Sequence, residues 1–262
     1  MCLRFLRILA AALLLLTSAA AQQPLKVCAD PDNLPFSNKR GQGFENRLAE
    51  LVAESLQRKL EYRWARHTGR GFVRNILNAG ECDLLLGVPS NFRPVLTTQP
   101  YYRSAFVFVS RKGAESPKSF DDQRLRTARI GVQVVEEEYA PPAIALGRRG
   151  LVSNIVGYEA IGKDSGNLVR AVAKREIDFA IVWGPLAGFY SRRYPVTISP
   201  APRSDGVNLP LAFSISMGVR KSDTALRDRI DAVLRDRDED VKKILNRFGV
   251  PQLDMQQEQA RR

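Results

Sequence analysis

Two places in the chain carry acidic side chains that could pass a proton between them: Asp30 with Asp32, and the run Glu136-Glu137-Glu138. Set on opposite walls of a cleft, such groups are the minimum for general acid–base work. Little else supports catalysis. The sequence has no G-x-S-x-G elbow and no phosphate-cradling glycine loop, and His67 is the sole histidine, with no evident triad. With one histidine and no C-x-x-C pair, zinc lacks a ligand set. The chemistry on offer is recognition. Asp30, Asn33, Phe36 and Ser37 lie close together in LKVCADPDNLPFSN, and Trp183-Gly184-Pro185 puts an indole beside the free amides of a helix start. That pair suits an apolar group next to an anion. The same tryptophan also reads as core packing between a strand and a helix.

These residues need elements to hold them. Leu25 to Ala29 is a short apolar run with β-branched Val27, as expected of a buried strand. The loop of Asp30, Pro31, Asp32, Asn33 and Pro35 stops it, since proline breaks a ladder and Asp and Asn favour turns. From Phe44 onward the period becomes helical: Phe44, Leu48, Leu51, Val52 and Leu56 share a face, with Glu45, Arg47, Glu50 and Glu54 elsewhere. Strand, polar loop and helix together leave Asp30 to Ser37 at a strand's carboxyl end, where open α/β sheets bind ligands.

The same alternation continues along the chain. Leu60 to Trp64, Leu84 to Val88, Ala105 to Val109, Ile130 to Val135, Ile155 to Tyr158 and Phe179 to Trp183 read as strands. Phe72, Val73, Ile76 and Leu77 form a short helical face that Gly80 can end. Ser119 to Asp122 reads as a capped turn. Acidic Glu136 to Glu138 suit a helix start, interrupted by Pro141-Pro142, and Asp164 or Ser165 can cap the helix carrying Leu168, Val169 and Val172. Pro185 fits the first turn of another helix. Two amphipathic helices close the chain, one with Leu226, Ile230, Val233 and Leu234, the other with Val241, Ile244, Leu245 and Phe248, which Gly249 and Pro251 terminate.

Arg4 and Arg7 ahead of the apolar run Ile8 to Leu16, with Ala19-Ala20-Ala21 beyond, read as a secretory signal too short to span a bilayer. Cys2 precedes that run, where a lipoprotein cysteine cannot be, so a soluble, unanchored mature protein is expected. Cleavage after residue 21 leaves 241 of the 262 residues, ample for two α/β lobes. Loss of Arg4 and Arg7 takes the formal charge from +12 to +10. Such a field steers an acidic partner or an anionic ligand, or is simply a solvated basic surface. Nucleic acid is not expected, because no basic stripe interleaves with aromatics. Cys28 and Cys82, the two mature cysteines, are either bridged in an oxidising compartment or two buried thiols.

The segments VCADPDNLPFSN, GQGFENRLAELVA, GECDLLLGVP and IDFAIVWGPLAGFY resemble the family 3 periplasmic solute-binding proteins over nearly the whole mature chain. More narrowly, they are similar to the binding-protein-like accessory proteins found with quinoprotein methanol and alcohol dehydrogenases. The resemblance implies a type II periplasmic-binding-protein-like α/β fold: two lobes, two mixed sheets flanked by helices, and two crossover strands, the second from Leu211 to Val219. It implies a signal at 1–21, one lobe of 22–109 with 213–251, a second of 110–212, and a polar, frayed tail at 252–262.

It also implies a site. Amino-acid binders of the family hold the ligand carboxylate with an arginine fork, for which Arg93 in SNFRP is the match. Asp30 matches their loop aspartate, and Asn33 stands where an aromatic often sits. The second lobe departs from the pattern. Val135-Glu136 replaces a Gly-Thr or Gly-Ser anion contact, and Gly184 occupies the position of the ammonium-binding aspartate. A zwitterion would therefore lose one charge partner and meet a carboxylate near its own, at a cost of several kcal/mol. The expected ligand-binding set is Asp30, Asn33, Phe36, Arg93, Glu136, Tyr139, Trp183, Gly184 and Pro185, with Tyr101 and Tyr102 as aromatic wall or, for Tyr102, packing beneath the crossover.

The expectation is a periplasmic, monomeric accessory factor without catalytic residues, metal or cofactor, that holds part of a quinoprotein dehydrogenase or a small ligand between its lobes. The alternatives are the receptor of an ABC importer for a small solute other than an amino acid, and a small dehydratase.

Overall fold

The structure is a computed structural model that describes residues 23–66, 71–135, 137–206 and 208–254. The expected signal, His67, Glu136 and the end of the tail lie outside the described residues. Among the described residues no helix is long and apolar enough to cross a membrane.

The first lobe grows from β1 (Leu25–Ala29), which pairs in parallel with β4 (Leu60–Trp64) on one edge and β5 (Leu84–Pro89) on the other. A strand covered on both faces is apolar almost throughout. Val27 joins the main core, while Cys28 joins a smaller cluster with Leu77, Leu85 and Val95. The intervening loop makes a small hairpin, β2 (Asp32–Asn33) with β3 (Ser37–Asn38). Helix α1 (Phe44–Ser55) then lays Phe44, Leu48 and Val52 into the main core. The Phe72 to Leu77 face becomes one π-helical turn, Val73–Leu77.

After β6 (Leu96–Thr97) comes the long strand β7 (Tyr102–Arg111), which runs from the first lobe into the second. There β8 (Ile130–Val135) pairs with β9 (Glu138–Tyr139), and α2 (Pro141–Gly147) leads to β10 (Ile155–Glu159). Helix α3 (Asn167–Ala173), β11 (Phe179–Trp183), α4 (Gly184–Tyr190) and β12 (Val196–Pro200) complete that lobe. The return strand β13 (Ala212–Val219) and helices α5 (Thr224–Asp236) and α6 (Asp238–Arg247) restore the chain to the first lobe.

The strand order is β10-β8-β11-β7-β13-β5-β1-β4, so the two mixed sheets join through the crossover strands. Strand β7 pairs with β13 over Tyr102 to Ala105, and with β11 and β12 over Phe106 to Arg111.

Local expectations differ from the structure at three points. Glu138 belongs to the β8–β9 hairpin, and helix α2 starts only at Pro141, with no acidic residue in its first turn. The two prolines begin that helix because the missing amide hydrogens of its first turn need no partner. Helix α3 has Gly166 at its N-cap and no side-chain cap, so Ser165 is spent elsewhere. Glu45, expected off the apolar face, is buried, because the first turn of α1 tucks beneath β5.

Cys28 and Cys82 form a disulfide with a Cα–Cα separation of 5.6 Å. Above it, Arg220 donates to the carbonyls of Cys82 (2.6 Å) and Leu77 (3.4 Å) and pairs with Asp83 at 2.9 Å. The bridge closes a sequence separation of 54 residues, for which chain-entropy loss in the unfolded state predicts about 4 kcal/mol of stabilisation. Replacing both cysteines by alanine is expected to lower the unfolding free energy by an amount of that order in urea denaturation.

Candidate functional site

The carboxyl ends of β1 and β5 and those of β8 and β11 meet along the seam between the lobes. On the first lobe, the Asp30 carboxylate closes its own loop: Oδ1 accepts from the Asp32 amide at 2.9 Å. The Ser37 hydroxyl donates to the Asp30 carbonyl at 2.9 Å, and the Asp30 amide donates back to Ser37 Oγ at 3.1 Å. Asn33 is half-buried, and its Oδ1 is enclosed with no hydrogen-bond partner. Phe36 lies 5.4 Å from the Phe44 ring and packs against cores of both lobes. Arg93 is exposed in the turn after β5.

Beneath this loop is a group that sequence reasoning missed. Glu45 is 7% exposed. Gly87 on β5 has φ +75, and a β-carbon there would lie 2.4 Å from Glu45 Oε1, so only glycine lets the carboxyl occupy that space. Burial, and then the charge of Asp30, push the Glu45 carboxyl up to about 8. Its neighbours Tyr101 and Tyr102 are buried and have hydroxyls raised well above the usual phenol range, burial being the main cause. The only hint in the sequence was GQGFE, where the acid directly follows the first buried helical residue.

On the second lobe, Trp183 sits half-buried between two cores. Its ring meets Phe106 at 5.4 Å and Phe213 at 6.0 Å, both edge-on. Its backbone amide donates to Gln133 Oε1, which ties the end of β11 to β8. Gly184 and Pro185 are buried. A β-carbon at Gly184 would lie 2.5 Å from Ser104 Oγ and 2.8 Å from the Ala105 carbonyl, so this helix start packs directly on β7. Tyr139 is 52% exposed, with its ring over Gly157 of β10.

The structure thus groups Asp30, Asn33 and Phe36 in one loop and Trp183, Gly184 and Pro185 at one strand end, with Arg93 in an exposed turn and Tyr139 exposed on β9. Gln133, Ser165 and Tyr190 also belong to the seam, although their spacing in the sequence carries no sign of it. Among the described residues no group of three or more His, Cys, Asp or Glu side chains could hold a metal ion.

This two-lobed α/β architecture with paired crossovers is that of an extracellular binding protein. The model of the bacterial extracellular solute-binding proteins, family 3, matches residues 25–251, and the chain belongs to that family. It is 33% identical over 249 residues to Protein MoxJ of Methylorubrum extorquens, covering 87% of this chain and 81% of that one. Among solved structures it is similar to MxaJ from Methlophaga aminisulfidivorans, with 26% identity, a TM-score of 0.77, and coverage of 87% of this chain and 100% of that one. It is also similar to the periplasmic binding protein XoxJ from Methylobacterium extorquens AM1, with 36% identity, a TM-score of 0.72, and coverage of 88% and 99%. Within the family, these likenesses are to the subgroup that the sequence resembles.

The Glu45 carboxyl makes stability depend on pH in a definite direction. Its folded value near 8 exceeds the ordinary 4.5, so between those limits the unfolded chain releases a proton that the folded chain keeps. Stability from this group is therefore present at low pH and lost as pH rises through the window, by up to about 1.4 kcal/mol per pH unit. Glu45→Gln is expected to flatten that slope in chemical denaturation measured from about pH 5 to about pH 8.

Proposed function

We propose that this chain is a periplasmic, solute-binding-protein-like accessory factor of a quinoprotein alcohol or methanol dehydrogenase. It holds a segment of that enzyme, or a small ligand, at the interlobe seam while the enzyme matures or is activated. The role is one of binding, with no catalytic step. The observation that carries this reading is the likeness to MoxJ, MxaJ and XoxJ over most of the chain.

The local chemistry supports it. The position that would hold an ammonium-binding aspartate is Gly184, which packs against β7. Trp183 beside it is shared between the cores of both lobes. An amino-acid zwitterion would find no counter-charge at that strand end, and an unpaired buried charge costs several kcal/mol. A protein segment brings its own hydrogen-bonded backbone and needs no such partner. Asp30, Asn33, Phe36, Arg93, Glu136, Tyr139, Trp183, Gly184 and Pro185 remain the residues proposed to line the contact. The formal charge of +12, or +10 without Arg4 and Arg7, would speed encounter with an acidic enzyme.

The test is affinity capture from the periplasm of a native host. Enrichment of a quinoprotein dehydrogenase, weakened at higher salt, is the expected result. Capture that enriches no such enzyme, together with tight one-to-one calorimetric binding of a small solute, would replace this reading with that of an importer receptor.

A further inference from the structure

Solute capture by a two-lobed binding protein needs the lobes to swing about their crossovers. Here further ties cross the seam. The Ser165 hydroxyl donates to the Leu34 carbonyl at 2.9 Å. The Tyr190 hydroxyl lies 3.0 Å from Ser165 Oγ and 3.3 Å from the same carbonyl. Ser165 and Tyr190 come from the second lobe and are 2% and 7% exposed, while Leu34 belongs to the first-lobe loop after β1. Phe36, two residues on, inserts into the second lobe's core.

A second set of ties involves the segment after α6. A β-carbon at Gly188 of α4 would lie 1.8 Å from the Gly249 carbonyl, so the two backbones touch. Pro251 packs on Gly184, and its carbonyl accepts from Ser104 at 2.6 Å. The Leu253 amide donates to the Arg103 carbonyl at 2.8 Å. Arg192 reaches over to the end of α6, donating to the carbonyls of Arg247 (2.6 Å) and Asn246 (3.1 Å). Phe189 stacks on Phe248 at 6.1 Å. Residues 249–253 therefore run as a strap across the lobe boundary, held from both sides.

We infer that the hydroxyl latch on Leu34 and the strap Gly249–Leu253 lock the two lobes into one fixed body, so the seam presents a standing surface instead of closing on a solute. Opening would strip Phe36 and Phe189 from their packing and break the buried and part-buried hydrogen bonds at Leu34, Ser165, Tyr190 and Ser104. The lock is independent of which partner binds: a mobile seam would leave the capture result above untouched, and a failed capture would leave the lock intact.

Spin labels at Lys59→Cys and Ser153→Cys, one exposed position on each lobe, measure the lobe separation by pulsed dipolar spectroscopy. The expected result is a single narrow distance distribution, unchanged by a mixture of the standard amino acids. Adding Ser165→Ala and Tyr190→Phe should make a second, wider-spaced population appear that the parent does not show. Tyr190→Phe alone keeps the ring and its packing, so it serves as the readout if the double variant does not fold. A two-population distribution in the parent, a shift on adding amino acids, or latch variants as narrow as the parent would each overturn the inference.

Discussion

Strand β7 is the constraint on which the rest depends. A ten-residue strand must have its amide and carbonyl groups met along its length. Its first residues are met by β13 from the returning chain, and its later ones by β11 and β12 of the second lobe. One strand thus belongs to both sheets. Its register fixes where the carboxyl ends of the other strands arrive, and brings Trp183 opposite Phe106. The seam is a consequence of that shared ladder.

What fills the seam follows from how far its polar groups are buried. Polar groups placed there must find partners within the protein, and most do. Asp30 and Ser37 satisfy each other's backbones, Gln133 takes the Trp183 amide, and the Leu34 carbonyl receives hydroxyls from across the boundary. Glu45 is the costly member: it is buried beside Asp30 and keeps its proton far above the usual carboxylate range. Such a group lowers stability at neutral pH, and proteins carry groups of that kind most often where binding or conformation needs them.

The same packing limits what the strand end of the second lobe can offer. Trp183 stands at a strand end, yet its ring is held edge-on between Phe106 and Phe213. The first turn of α4 is pressed on β7 with no room for even a β-carbon at Gly184. Of the described site residues read from the sequence, Arg93 and Tyr139 are the exposed ones, and the acidic Asp32 and Glu138 are exposed as well.

Local pattern determined most of the elements. The apolar runs at Leu25–Ala29, Ile130–Val135 and Phe179–Trp183 are strands because short β-branched runs bury well in a sheet, whatever lies beside them. The spacing of Phe44, Leu48 and Val52 determined α1 in the same way, and the family likeness followed from motifs written in consecutive residues. Tertiary structure alone decided which polar side chains go inside. Glu45 reads as a solvent-facing helical acid until β5 folds over it. Ser165 reads as a helix cap until Leu34, 131 positions earlier, offers a carbonyl. Tyr190 meets that same carbonyl across 156 positions. Apolar burial is signalled by a residue's own neighbours in the chain, whereas a buried polar group is tolerated only when a distant segment supplies its partner, and no local spacing records where that segment will arrive.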